Sequence, residues 1–114
     1  MNYKQGDIVL LPFPYSDLSS AKKRPALVLS NNKFNGSSDD IACCLITTNP
    51  KKDELSIAIS DADVSNGKLQ FESRIKPYRL FTVEKRIVVR KICSLKKAKF
   101  NETIEKLSEI ISQM

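Results

Sequence analysis

The chain has 114 residues, 41% of them hydrophobic, which is typical of one domain with one core, and we expect a single domain over residues 1–114. Lys and Arg outnumber Asp and Glu by 19 to 13, and the net charge of +6 favours a polyanionic partner such as nucleic acid. No apolar run approaches the roughly 20 residues that cross a bilayer, and the first residues lack the apolar stretch of a signal peptide, so we expect a cytoplasmic protein that does not contact membranes.

The first half of the chain predicts strands joined by polar loops. Residues 7–13 are rich in branched apolar side chains and predict a strand. A Ser-rich loop at 15–23 precedes a second strand at 25–29. Residues 31–40 carry Asn, Gly, Ser and Asp and predict a long exposed loop, and the nearly continuous apolar run 41–47 predicts a central strand buried on both faces.

The second half predicts further strands and then a helix. Residues 55–59 predict a strand and residues 61–67 a turn. We expect a final hairpin with arms at 73–83 and 87–94, in which Pro77 marks an edge or irregular point.

Beyond Leu95 the apolar residues recur as on one face of a helix: Phe100, Ile104, Leu107, Ile110 and Ile111. Short strands followed by one amphipathic helix predict a mainly β fold. We expect a strongly bent antiparallel sheet or small barrel, capped by the C-terminal α-helix.

The inventory of reactive side chains is short. Cys43 and Cys44 are adjacent in an apolar stretch and Cys93 stands alone, which indicates buried free thiols rather than disulfides or a zinc site. The chain contains no histidine, the usual acid–base group at neutral pH and the commonest metal ligand. We therefore expect chemistry that uses no histidine and relies little on metal, and we expect no cofactor.

Several segments of the chain follow one another in a distinctive order: Gly6-Asp7-Ile8-Val9, Phe13-Pro14-Tyr15-Ser16-Asp17 and Lys23-Arg24-Pro25-Ala26-Leu27-Val28-Leu29-Ser30. The pattern continues through Leu45-Ile46-Thr47-Thr48-Asn49, Glu72-Ser73-Arg74-Ile75-Lys76 and Leu80-Phe81-Thr82-Val83-Glu84-Lys85. Over nearly its whole length the sequence resembles the MazF/PemK toxins of type II toxin–antitoxin systems. It departs from them at Cys93, where Gly is frequent, and at Lys96, where a helix-capping Ser is frequent.

The resemblance implies a small Src-homology-3-like barrel related to the gyrase-poisoning toxins, and a homodimer. It implies metal-independent, sequence-selective cleavage of single-stranded RNA that leaves 2′,3′-cyclic phosphate and 5′-hydroxyl ends. Arg24 and Thr47 match the catalytic pair of the family, and Thr48 is a secondary candidate. The expected partner, besides RNA, is an acidic and partly disordered antitoxin that covers the basic cleft.

These residue types suit the chemistry. The planar fork of Arg24 fits a phosphate, Pro25 holds Arg24 in an extended conformation, and Thr47 can donate its hydroxyl to the same phosphate. The proton acceptor stays open between a carboxylate such as Asp17 or Glu72, a lysine with a lowered pKa, and water. We expect RNA contacts, by phosphate binding, base stacking or polar contact, from Phe13, Tyr15, Asp17, Lys22, Lys23, Ser73 and Arg74.

Other functions fit parts of the sequence. A non-catalytic nucleic-acid-binding barrel would keep the basic surface, and a gyrase-targeting toxin would keep the fold. A peptide-binding module is less favoured, because aromatic residues make up 7% of the chain and Trp is absent.

Overall fold

A curled antiparallel sheet and a C-terminal helix form the framework of the structure, a computed structural model that describes residues 2–13, 22–49 and 51–113. Within these ranges the strands are β1 (Asp7–Phe13), β2 (Lys22–Val28), β3 (Asp40–Thr47), β4 (Ile57–Ile59), β5 (Val64–Ser65), β6 (Ser73–Glu84) and β7 (Arg90–Leu95). The helices are α1 (Asn32–Ser37) and α2 (Lys97–Ile111), and 3-10 turns lie at Asp61–Asp63 and Lys85–Ile87.

The strand order across the sheet is β4-β6-β3-β2-β1-β7-β5, and each neighbouring pair is antiparallel. The apolar strand β3 is central, as predicted. The predicted C-terminal hairpin is wrong, because β6 pairs with β3 and β4 whereas β7 pairs with β1 and β5. Val89 donates its backbone N–H to the Leu10 carbonyl (2.9 Å), so the chain leaving β6 joins β1 instead of turning back.

Apolar side chains cover both faces of the sheet, because alternate residues of each strand point to opposite sides. One cluster, under α2, includes Ile8, Leu27, Cys44, Ile46 and Ile75. The opposite cluster includes Val9, Leu11, Ala26, Val28 and Cys43. Two cores on one sheet explain why β2 and β3 read as nearly continuous apolar runs.

The predicted C-terminal helix is confirmed, with one exception along its apolar face. Phe100, Ile104 and Leu107 of α2 pack against the first cluster. Ile111, in contrast, is 66% exposed, so the last turn of α2 extends past the core. The most buried residue of the helix is Thr103. Its hydroxyl donates a hydrogen bond to the Lys99 carbonyl (2.8 Å), so this buried polar group has a partner within the helix.

The segment predicted as a long loop at 31–40 instead contains the short helix α1. The Asn31 side chain caps this helix by accepting a hydrogen bond from the Phe34 amide (2.9 Å). Asn35 is 1% exposed, and its side-chain amide donates to the Ser30 carbonyl (2.9 Å). Polar residues that suggested a loop therefore cap and anchor a helix.

The cysteines are free and buried, as predicted. Burial raises the pKa of the Cys43 thiol to about 12 and that of Cys93 to about 11, and it raises the pKa of Cys44 as well. Thiols with such pKa values stay protonated at neutral pH and are poor nucleophiles. In the described ranges no helix combines the length and apolar character needed to cross a bilayer.

Candidate functional site

Three of the candidate residues lie on the adjacent strands β2, β3 and β6. Thr47, at the end of β3, pairs directly with Arg74 on β6. The β2–β3 pairing runs from Val28–Cys43 to Ala26–Leu45 and ends there; Arg24 and Thr47 each lie two residues beyond this last pair, on the same face, and extending the register would set them opposite each other. Directly opposed residues share a face of the sheet with Cβ atoms roughly 5 Å apart. Arg24, Thr47 and Arg74 therefore form a row across one end of one face.

The hydroxyl of Thr47 is placed for donation. Thr47 is only 9% exposed, and its Oγ1 accepts a hydrogen bond from the Asn49 amide (3.1 Å). Because the Asn49 N–H supplies the proton of that bond, the hydroxyl proton of Thr47 stays available for a ligand. Thr48 follows the end of β3 and is exposed.

The basic residues at the start of β2 differ in direction. Lys22 and Lys23, predicted in a loop, belong to β2, where they pair with Phe13 and Pro12. Both are exposed, but alternation along the strand puts Lys22 on the face of Arg24 and Lys23 on the other face. Lys22 therefore extends the row of candidate residues.

The remaining predicted contact residues are partly described. For Phe13 the backbone alone is described, and Tyr15 and Asp17 lie outside the described residues. Ser73 is 4% exposed, lies on the opposite face from Arg74 and donates its hydroxyl to the Phe71 carbonyl (2.9 Å). The prediction that these residues contact RNA stays a prediction.

Arg74 also fastens the connection between β3 and β4, residues 48–56. Its Nε donates to the Ser56 hydroxyl (2.6 Å) and its Nη2 to the Ser56 carbonyl (3.2 Å). Described residues thus occupy two of the five guanidinium N–H groups, and the others are left for a ligand. Arg74 holds the connection beside Thr47 while keeping charge at the site.

A second bridge to the same connection was missed by sequence analysis. The Tyr78 hydroxyl donates to Asp53 Oδ2 (3.1 Å), and the Leu55 amide donates to Asp53 Oδ1 (2.9 Å). Desolvation opposes ionisation of Asp53, but these hydrogen bonds, one from the Ser56 amide and the charge of Lys76 together lower its pKa. Desolvation and the bond to Asp53 raise the pKa of Tyr78.

The sequence contains only a weak indication of the hydrogen bond between Tyr78 and Asp53. Pro77 correctly indicated an irregular point, since the β3–β6 register shifts there and residues 77–79 of β6 have no partner on β3. That bulge turns Tyr78 out of the ladder. The residues next to Tyr78 in the sequence do not indicate its partner, because Asp53 lies 25 positions away.

A cavity of about 330 Å³, which we call the edge cavity, opens beside the row. Its walls come from the 48–56 connection and from the neighbouring parts of β4 and β6, and they include Asn49, Lys52, Glu72 and Arg74. A second cavity of about 610 Å³ lies at the opposite end of β6, near Glu84 and Arg86. Of these two cavities, the edge cavity is the one whose wall includes Asn49 and Arg74, the hydrogen-bond partner and the strand partner of Thr47.

The described part of the chain contains no cluster of metal-binding groups: no three His, Cys, Asp or Glu side chains there lie close enough together to hold an ion. The site as described thus consists of cations, hydroxyls, amides and scattered carboxylates. Such a set can bind a phosphodiester and stabilise charge on it.

Comparison with solved structures finds this fold in proteins of low identity. The crystal structure of MazE-MazF (form III) from Deinococcus radiodurans has a TM-score of 0.81 at 18% identity, covering 100% of each chain. An endoribonuclease in complex with its cognate antitoxin from a mycobacterial species has a TM-score of 0.79 at 16% identity, covering 98% of this chain and 99% of that one. These similarities confirm the predicted bent antiparallel sheet with its C-terminal helix.

Sequence comparison supplies the family. Curated protein sequences give no significant match. The model of one protein family, described as PemK-like, MazF-like toxin of type II toxin-antitoxin system, matches residues 4–111. Since this match spans nearly the whole chain, and the fold agrees, the protein belongs to the PemK-like, MazF-like toxin family of type II toxin–antitoxin systems.

Proposed function

We propose that this protein is the endoribonuclease toxin of a type II toxin–antitoxin pair and that it cuts single-stranded RNA in the cytoplasm. The observation that carries the proposal is the row formed by Arg24, Thr47 and Arg74 on one sheet face, in a chain of this family. A mycobacterial protein of the same fold is named an endoribonuclease and is bound to its cognate antitoxin. The family and fold are thus consistent with the chemistry that the residues suggest.

In the proposed reaction the ribose 2′-OH attacks the adjacent phosphorus, and the bond to the 5′ oxygen of the next nucleotide breaks. The products are a 2′,3′-cyclic phosphate and a 5′ hydroxyl. Negative charge builds on the phosphoryl oxygens during this step, and Arg24 and the Thr47 hydroxyl stabilise it by donation. Thr48, exposed just beyond Thr47, is the secondary donor.

Proton transfer needs an acceptor for the 2′-OH proton. Near the row, the described carboxylates include Asp53 and Glu72. The lowered pKa of Asp53 makes it a weak base. Glu72, Asp17, a lysine and water remain the candidate acceptors, and no metal enters the proposed mechanism.

The RNA strand would follow the basic side of the row. Lys22 shares the face of Arg24, and the unoccupied N–H groups of Arg74 lie at the other end. Unpaired bases would stack on Phe13 or Tyr15. An acidic antitoxin segment competing for the same cations would block the strand, and we expect the toxin to act as a homodimer.

The test is cleavage of a defined single-stranded RNA by purified protein, with an all-deoxy strand of the same sequence as control. We expect cutting of RNA only, cyclic phosphate ends, and unchanged rates in EDTA. Arg24→Ala should lower the rate on the order of a hundredfold or more, as for the loss of one oxyanion donor. Cutting of the deoxy strand, or no cutting of any RNA by clean protein, would refute the proposal.

A further inference from the structure

Two wall residues of the edge cavity are direct neighbours of Thr47, the candidate catalytic residue. Asn49 donates its amide to Thr47 Oγ1 (3.1 Å), and Arg74 pairs with Thr47 across the strands. Its volume of about 330 Å³ is at the lower end of the range for small-ligand sites, roughly 300–1,000 Å³. A group the size of one nucleobase therefore fits beside the bond to be cut.

Most polar groups in the walls are already engaged, so the cavity is preformed. Arg74 donates to Ser56 through Nε, and Asp63 accepts the Ser60 amide (2.8 Å). Two charged side chains of the wall, Lys52 and Glu72, make no hydrogen bond or ion pair with any described residue, and both are exposed. These two groups, together with the remaining N–H groups of Arg74, are free to select a ligand.

The charged side chains of the cavity wall balance, with Lys52 and Arg74 against Asp63 and Glu72, so the cavity has no net positive charge to favour a phosphate. The sheet face outside, which carries Arg24 and Lys22, is the more basic surface. An ionised carboxylate accepts hydrogen bonds and cannot donate them. Glu72 therefore needs a neutral ligand that presents N–H groups, as the Watson–Crick edge of a base does.

We propose that the edge cavity holds the base next to the scissile phosphate and that Glu72 reads the Watson–Crick edge of this base. This proposal rests on the proposed function. Adenine, cytosine and guanine offer an exocyclic amino group to the carboxylate, and guanine adds a second N–H beside it. Uracil offers one N–H between two carbonyl oxygens, which a carboxylate repels. Glu72 thus disfavours uracil at one position adjacent to the cut.

Glu72→Gln tests this with Glu84→Gln as its matched control. Glu72 directly precedes β6 and Glu84 is its last residue, and each lines a different cavity. Glu84 forms a surface ion pair with Arg86 (2.7 Å), far along the strand from Thr47. Neither change removes a buried contact, so both variants should fold, which a thermal melt of each checks.

The assay measures cleavage rates on an RNA pool randomised around one site, with products sequenced. Wild-type protein and Glu84→Gln should disfavour uracil at one position beside the cut. Glu72→Gln should reduce that discrimination about tenfold, because glutamine can both donate and accept and a good base contact carries roughly 1–3 kcal/mol.

Each other outcome overturns the inference in an identifiable way. Equal slowing at all sequences by Glu72→Gln would place Glu72 in proton transfer instead of base reading. An unchanged profile, the same change in Glu84→Gln, or a wild-type profile indifferent to uracil would remove the base site and leave the nuclease intact. Failure of the wild type to cut any RNA would refute the proposed function itself.

Discussion

The hydroxyl of Thr47 can be removed with almost no change of shape by Thr47→Val. In the fold, the loss is one hydrogen bond from the Asn49 amide (3.1 Å). Because Asn49 is exposed, water can replace that partner, and the cost should be about 1 kcal/mol. Valine is also favoured in strands, which offsets part of the cost. We therefore expect the melting temperature to fall by no more than about 5 °C.

The effect on activity should be much larger than the effect on stability. If the Thr47 hydroxyl donates to the phosphoryl oxygens, Thr47→Val should lower the cleavage rate on the order of a hundredfold. Thr47→Ser keeps the hydroxyl and should retain most of the activity. Thr82→Val is the matched control, because Thr82 lies on β6 and is exposed.

The assay is single-turnover cleavage of a defined RNA alongside a thermal melt of each variant. A Thr47→Val rate within a few-fold of wild type would remove Thr47 from the site. A melting temperature lowered far beyond 5 °C would instead refute the expected small cost of about 1 kcal/mol, since the activity loss would then reflect unfolding.

Three further predictions concern the scaffold. Gly67→Ala should prevent stable folding, because φ is +147° and a Cβ would lie 2.2 Å from a β7 carbonyl oxygen. Gly36→Ala, with open space around it, should instead raise the free energy of unfolding by about 0.5–1 kcal/mol. Thermal melts of both variants test this. The Cys43 thiol, with its pKa raised to about 12, should resist a thiol reagent at pH 8 until denaturant is added, and fast labelling of folded protein would contradict this. Tyr78→Phe should raise the pKa of Asp53 in an NMR titration. The lowered pKa of Asp53 stabilises the fold above roughly pH 4, and that contribution is lost on acidification. The Tyr78→Phe variant should therefore lose less stability in acid than the wild type. An unchanged pKa of Asp53 in the variant would count against the bridge.

Properties that depend on neighbours in the chain could be predicted from the sequence. The apolar run before Thr47 indicated the central strand, and the spacing of Phe100, Ile104 and Leu107 indicated the packed face of α2. Buried thiols followed from the apolar context of Cys43. The family segments around Arg24 supplied a hypothesis for the site that spacing alone could not.

Errors arose where a local pattern allows two structures. Polar residues from Asn31 onward are typical of a loop and also of a capped helix. The hydrogen bond from the Phe34 amide to the Asn31 side chain stabilises the helix. Two consecutive strands suggested a hairpin, yet order along the chain does not decide which strand is the partner, and β6 pairs with β3 whereas β7 pairs with β1. Ile111 fits the helical period but lies past the end of the core.

The sequence by itself determined most of the strands, the C-terminal helix, the basic charge and the family, but not β5 (Val64–Ser65), which lies in a segment predicted as a turn. The tertiary structure alone decided that Arg24, Thr47 and Arg74 share one face, that Tyr78 reaches Asp53, and that an edge cavity opens beside them. The physical reason is distance along the chain. Strand register and side-chain bridges join residues tens of positions apart, and their energies are settled only when the whole sheet forms.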